Sequence, residues 1–171
     1  MAIVRDAAAG LRAVERGATI LQLRDPDASV RTMEREACRL VAEAPAPVVI
    51  SARTDLALAA GAAGVHLPER DIPVAGARRL LGAARLVGRS VHSAGAARIA
   101  ESEGADYVVF GSVFASASHP GRPAAGLDAL RGVVAAVRIP VLAIGGIDAD
   151  RAAPCRLAGA AGFAAIGYFN R

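Results

Sequence analysis

The chain has 171 residues, 54% of them hydrophobic and only 4% aromatic, so it is long enough for one buried domain with an Ala/Val/Leu/Ile core and too short to favour two. All 20 basic residues are Arg, against 16 acidic ones; with no Lys, a lysine Schiff base is excluded, and phosphate must be met by Arg, main-chain N–H groups and hydroxyls. The Arg residues are spread along apparent helices without a basic run or interleaved aromatics, which argues against nucleic acid, and no apolar run reaches the ~20 residues of a bilayer span. The start lacks a signal-peptide core, so the expectation is a cytoplasmic protein without membrane contact.

In chain order, 1–4 is at most a stub of a first strand, followed by a helix over 6–16 and a strand over 18–24. Val30, Met33, Ala37, Leu40 and Val41 recur at helical spacing over 29–41, with Ser29 or Asp27 as the cap. A strand over 47–51, a short helix over 55–60, a brief strand over 64–67 and a helix over 74–81 follow. The next strand is 86–91, then a helix over 93–103 opened by Ser93, and a strand over 107–113. Leu127, Leu130, Val133, Val134 and Val137 mark one helical face; strand 140–144, helix 148–157 and strand 162–168 complete the series. Gly17, Gly104 and Gly159 read as terminators of the preceding helices. Cys38 and Cys155, without C-x-x-C spacing, read as buried structural thiols.

Strands alternating with helices predict a parallel sheet with right-handed crossovers. The expected architecture is one TIM (β/α)8-type barrel domain over 1–171, trimmed at its first strand and last helix, with seven clear strands. An open doubly wound sheet is the alternative.

Ligands of such barrels bind at the C-terminal strand ends. There, period-2 alternation puts Gln22 and Arg24 on one face, which suits a polar ligand. Arg53 faces an anion or makes a structural ion pair, and Asp55 reads as a helix cap. His66 reads as a hydrogen-bonded core residue, and Asp71 is a single carboxylate open to a divalent cation. Ser90 and His92 share a face, which makes His92 the best general acid/base. The stretch 110–123, rich in hydroxyls, Gly and Pro, and including Ser116, Ser118 and His119, has the composition of a lid. Gly145 and Gly146, matched by Gly167 at the top of the last strand, let N–H groups approach a phosphate closely.

The segments QLRD (22–25), TDLALAAGAAGVHLPERD (54–71), GRSVHS (88–93), GADYVVFGSVF (104–114), PGRPAAGL (120–127) and IPVLAIGGID (139–148) resemble, in that order, thiamine phosphate synthase and its TenI-type relatives. The resemblance implies a thiazole-phosphate cradle at Gly145, Gly146, Ile166 and Gly167, pyrophosphate contacts at Gln22, Arg24 and Ser90, and one magnesium carboxylate at Asp71. Where the synthases carry Lys after QLR, this chain has Pro26; Ser51-Ala52 replaces their Asn-Asp, and His119 their lid Lys. GRSVHS and HLP look more like the TenI branch, some of whose members isomerise a thiazole carboxylate phosphate; the His of that branch is Ser112 here.

The expected function is that of a TenI-like protein binding thiazole phosphate or thiamine phosphate and transferring a proton on it, with His92 or His119 as acid/base. A thiamine phosphate synthase with a rearranged site and a non-catalytic phosphate-binding regulatory subunit stay open, a sugar-phosphate epimerase more distantly. The residues point to no particular cofactor; the resemblance implies Mg²⁺ if the chain works as a synthase. The expected partner is a small phosphorylated ligand, and a homo-oligomer is left open.

Overall fold

The computed structural model describes residues 1–115 and 123–169. Eight parallel strands lie in sequence order: β1 (Ala2–Val4), β2 (Leu21–Leu23), β3 (Val48–Ser51), β4 (Gly64–Leu67), β5 (Leu86–Val91), β6 (Tyr107–Gly111), β7 (Val141–Ile144) and β8 (Gly162–Ala164). The sheet closes through the pairing of Ala2 with Ala165, where Ile3 N–H donates to the Ala165 carbonyl at 3.0 Å and Ala165 N–H to that of Met1 at 3.1 Å. It is a (β/α)8-type barrel, and sequential order with closure excludes the doubly wound alternative. The stub at 1–4 is a full member of the barrel: its three residues pair with β2 along their length and with the end of β8 through the bridge at Ala165.

Seven helices cover the outside among the described residues: α1 (Ala7–Glu15), α2 (Val30–Glu43), α3 (Thr54–Ala59), α4 (Val74–Leu81), α5 (Ala94–Ser102), α6 (Gly126–Ala136) and α7 (Ala149–Leu157). Four open on a side-chain cap: Asp6 accepts from Ala9 N–H at 2.7 Å, Ser29 from Thr32, Ser93 from Ala96 and Asp148 from Arg151. Gly17, Gly104 and Gly159 end helices in the left-handed region, with φ near 90°. None of the described helices is long and apolar enough to cross a membrane.

The alternating strand faces make two apolar layers. One fills the barrel, with Ile3, Val49, Tyr107, Val109, Leu142 and Ala164; the larger lies between sheet and helices. The buried stripe of α2 is Met33, Ala37 and Leu40, so Cys38, about 100° around the helix from Ala37, is exposed rather than buried, and Val30 at the open first turn is 52% exposed. Cys155 is buried as expected. The N-cap of α3 is Arg53, so Asp55 is not the cap; it sits inside the first turn. β2, β6 and β8 are shorter than their apolar runs.

Close contact between strands fixes positions as glycine, Gly64 and Gly88 among them. A Cβ on Gly64 would meet the Leu86 carbonyl of β5, and one on Gly88 would meet the Tyr107 ring inside the barrel. Gly64→Ala is expected to lower stability in urea unfolding by about 2 kcal/mol or more. Gly132→Ala in α6, where a Cβ meets nothing within 4 Å, is expected to raise it by about 0.5 kcal/mol. Equal effects of the two substitutions would contradict this packing.

Candidate functional site

The C-terminal strand ends form one mouth. Gln22, on the inner face of β2, is 3% exposed and its carboxamide makes no hydrogen bond to a described residue. Its amide atoms are not among the fully buried unpaired ones, so they reach accessible space at the mouth, where water or a ligand can meet them. Arg24, just past β2, is exposed and has no ion-pair partner among the described residues; only its main-chain N–H is engaged, with the Val4 carbonyl. Gln22 and Arg24 are thus a neutral donor and a free cation on the same rim.

At the next strand end, Arg53 grips Asp55 by Nε–Oδ1 at 2.9 Å and Nη2–Oδ2 at 2.5 Å, and this hydrogen bonding pulls the Asp55 carboxyl down to about 2. The two side chains are 38% and 64% exposed, so the pair orders the loop more than it stabilises the fold. Of the two readings of Arg53, the ion pair is formed. Thr54 Oγ1, behind this loop, is the one buried side-chain polar atom without a hydrogen bond among the described residues.

β4, β5 and β6 bring together a polar trio inside the barrel. His66 is 3% exposed; its Nε2 lies 2.8 Å from Ser90 Oγ and its Nδ1 3.3 Å from the Tyr107 hydroxyl. Burial, with the Arg89 charge behind it, drops the His66 imidazole from 6.5 to about 3, so it is neutral; burial raises the Tyr107 phenol above its usual range. His66 is therefore the hydrogen-bonded core residue its context suggests. Ser90 is partly exposed above it, facing the mouth.

His92 sits on the rim, exposed, with Nδ1 2.8 Å from Glu69 Oε2. A rim His oriented by a carboxylate has the geometry of a general acid/base. Asp71, half-buried, accepts the N–H of Ile72 through Oδ1 at 2.7 Å, and the loop carbonyls of Glu69 and Ile72 are held by Arg89. The residue that follows β3 is Ala52, which offers no carboxylate, and Glu69 is committed to His92. No group of three or more His, Cys, Asp or Glu suited to a metal occurs among the described residues. One carboxylate does not make a resident Mg²⁺ site, since such sites draw on more carboxylates or on substrate phosphates.

The turn after β7 is built from Gly145 and Gly146, at φ 100° and 63°. A Cβ on Gly145 would lie 2.6 Å from that of Ser112, and one on Gly146 would meet the Ala115 carbonyl. Both glycines are therefore demanded by the chain leaving β6, whose Phe114 N–H donates to the Gly145 carbonyl at 3.1 Å. The N–H groups of Gly145 and Gly146 find no acceptor among the described residues. Pairing of Ile144 with Ala164 places this turn beside Ile166 and Gly167, which follow β8 and are exposed. Arg151 of α7, which reads in sequence only as a solvent-facing helix residue, donates to the Gly146 carbonyl at 2.8 Å and lies 5.1 Å over the Phe114 ring. Ser116, Ser118 and His119 lie outside the described residues.

Comparison with known proteins adds an independent line. The model of the thiamine monophosphate synthase family matches residues 4–169. The chain is 43% identical over 158 residues to the thiamine-phosphate synthase of Chloroflexus aurantiacus, covering 90% of this chain and 73% of that protein. It is 49% identical over 134 residues to the thiamine biosynthesis bifunctional protein ThiM/ThiE of Symbiobacterium thermophilum, spanning 77% of this chain and 27% of that larger protein. Among solved structures, thiamine phosphate pyrophosphorylase from Pyrococcus furiosus superposes with a TM-score of 0.88 at 34% identity, over 99% of this chain and 87% of that one.

The buried neutral His66 sets a pH dependence. Below pH 6.5 the unfolded chain protonates this imidazole while the native one stays neutral down to about 3, so stability falls as pH drops through that window. His66→Gln is expected to flatten the slope by up to about 1.4 kcal/mol per pH unit, read from urea unfolding of both proteins between about pH 7 and pH 4.5. Identical slopes would show that the native histidine takes up its proton normally.

Proposed function

The chain belongs to the thiamine monophosphate synthase family, and from that premise we propose that it is a thiamine phosphate synthase, joining a pyrimidine pyrophosphate to a thiazole phosphate. The observation that carries the reading is the pair of unengaged N–H groups at Gly145 and Gly146, beside Ile166 and Gly167, facing the same mouth as Gln22, Arg24 and Ser90. Main-chain amides of a glycine turn suit the dianion of a phosphate monoester. The opposite rim, with a free guanidinium, an unpaired carboxamide and a hydroxyl, suits the more highly charged pyrophosphate.

In this reading the thiazole nitrogen forms the new C–N bond as the C–O bond to pyrophosphate breaks, and the electron pair leaves with pyrophosphate. The protein's share is to hold the two substrates face to face and to meet the growing negative charge with Arg24, Ser90 and, once released from Asp55, Arg53. Among the described residues only Asp71 would be placed to hold a Mg²⁺, whose chemistry would be to neutralise charge on the pyrophosphate; they do not build a cage for it. The lid serines Ser116 and Ser118 belong to the same proposal.

A second reading rests on the Glu69–His92 pair: an oriented rim imidazole suits proton transfer on a bound thiazole phosphate, as in a TenI-type tautomerase, with His119 as the other candidate acid/base. Assay of the purified protein with pyrimidine pyrophosphate, thiazole phosphate and Mg²⁺ separates the two. Thiamine phosphate is the expected product, with Arg24→Ala lowering kcat/KM by about 10- to 100-fold. No condensation, together with tautomer interconversion lost in His92→Ala, would replace the first reading with the second.

A further inference from the structure

We infer that the Tyr107–His66–Ser90 chain is polarised in one direction, which makes the Ser90 hydroxyl a committed hydrogen-bond donor to an anionic oxygen of the ligand at the mouth. The inference rests on the synthase reading for the identity of that anion, and on hydrogen-bond accounting for the direction.

The accounting starts at the closed end. The Tyr107 hydroxyl is buried inside the barrel, its ring fitted against Gly88 and stacked on His66 with centroids 5.7 Å apart. Its one hydrogen-bond partner among the described residues is His66 Nδ1. A buried phenol that keeps its proton must donate it somewhere, and Nδ1 is the acceptor within reach. Nδ1 therefore carries the lone pair. The imidazole is neutral, so its single proton is on Nε2 and points at Ser90 Oγ, 2.8 Å away. Ser90 Oγ is then an acceptor on its inner side. It has no other partner among the described residues, and its own proton is directed to the partly exposed side, the mouth.

The opposite direction fails at the same end. If Nδ1 bore the proton, the Tyr107 hydrogen would be buried without an acceptor, and Ser90 would turn lone pairs, rather than a proton, toward an incoming anion. The trio would then repel the oxygens it is placed to bind. His66 and Tyr107 are accordingly positioning residues: neither touches the ligand, and both act by fixing which way one hydroxyl donates.

Nitrogen NMR of the histidine-labelled wild-type protein reads the direction without any ligand. The expected result is one neutral tautomer of His66 with its proton on Nε2; a proton on Nδ1 would overturn the inference. Calorimetric titration with inorganic pyrophosphate then reads the consequence in the wild type, Tyr107→Phe, Ser90→Ala and the double variant. Tyr107→Phe is expected to weaken binding about 3- to 10-fold on its own and not at all in the Ser90→Ala background. An equal loss in both backgrounds would show that the phenol serves packing alone, and would also overturn it. If wild type shows the Nε2 tautomer but no pyrophosphate binding, the polarised chain stands and the synthase reading, with its anion, falls.

Discussion

The site depends on one steric constraint: the chain leaving β6 crosses the turn after β7 so closely that neither Gly145 nor Gly146 has room for a Cβ. The contact locks the turn in a left-handed conformation and ties its carbonyls to Phe114 N–H and the Arg151 guanidinium. With the carbonyls engaged on the protein side, the amides are left facing outward. The proposed main-chain anion cradle would then be a by-product of how two neighbouring strand ends pack, needing no basic side chain. In a chain without Lys, that matters: the remaining positive charge at the mouth comes from Arg, whose planar fork prefers paired oxygens.

The interior of the barrel carries a second polar element of a different kind. His66 and Tyr107 are kept uncharged by burial and spend their hydrogen bonds on each other and on Ser90. Gly88 makes room for the phenol, so an absent side chain on β5 permits a polar one on β6. In the proposed reading rim and interior divide the work: Arg24 and the glycine amides bring charge complementarity, while the trio sets the orientation of a single hydroxyl. Fold and site share the same glycines, so substitutions at Gly88, Gly145 or Gly146 disturb packing and binding together.

Much of the fold is legible in the sequence because its signals are local. Caps at Ser29 and Ser93 and terminators at Gly17, Gly104 and Gly159 each depend on a few adjacent residues. β1 is harder to read, since three residues carry no periodicity; the strand exists because β2 and β8 lie on either side of it. The exposure of Cys38 turns on one residue's phase around α2, which composition does not reveal. At the site, alternation correctly pairs Gln22 with the barrel interior, but it cannot tell that Arg53 is spent on Asp55 or that Arg151 reaches back to Gly146. Tyr107 reads as a core aromatic, and its link to His66 across 41 residues is visible only in three dimensions. Family resemblance points to a glycine cradle from motif order alone, whereas the synthase rather than the tautomerase reading gains its weight from overall similarity to named synthases.

The central claim is that the amides of Gly145 and Gly146 bind a phosphate dianion. Titration of the nitrogen-labelled protein with inorganic phosphate, followed amide by amide in proton–nitrogen correlation spectra, tests it most directly. The account predicts saturable downfield shifts that are largest at Gly145 and Gly146 and spread to the adjoining residues 166 and 167. Shifts confined to exposed Arg side chains elsewhere, with these two amides unmoved at saturation, would contradict it.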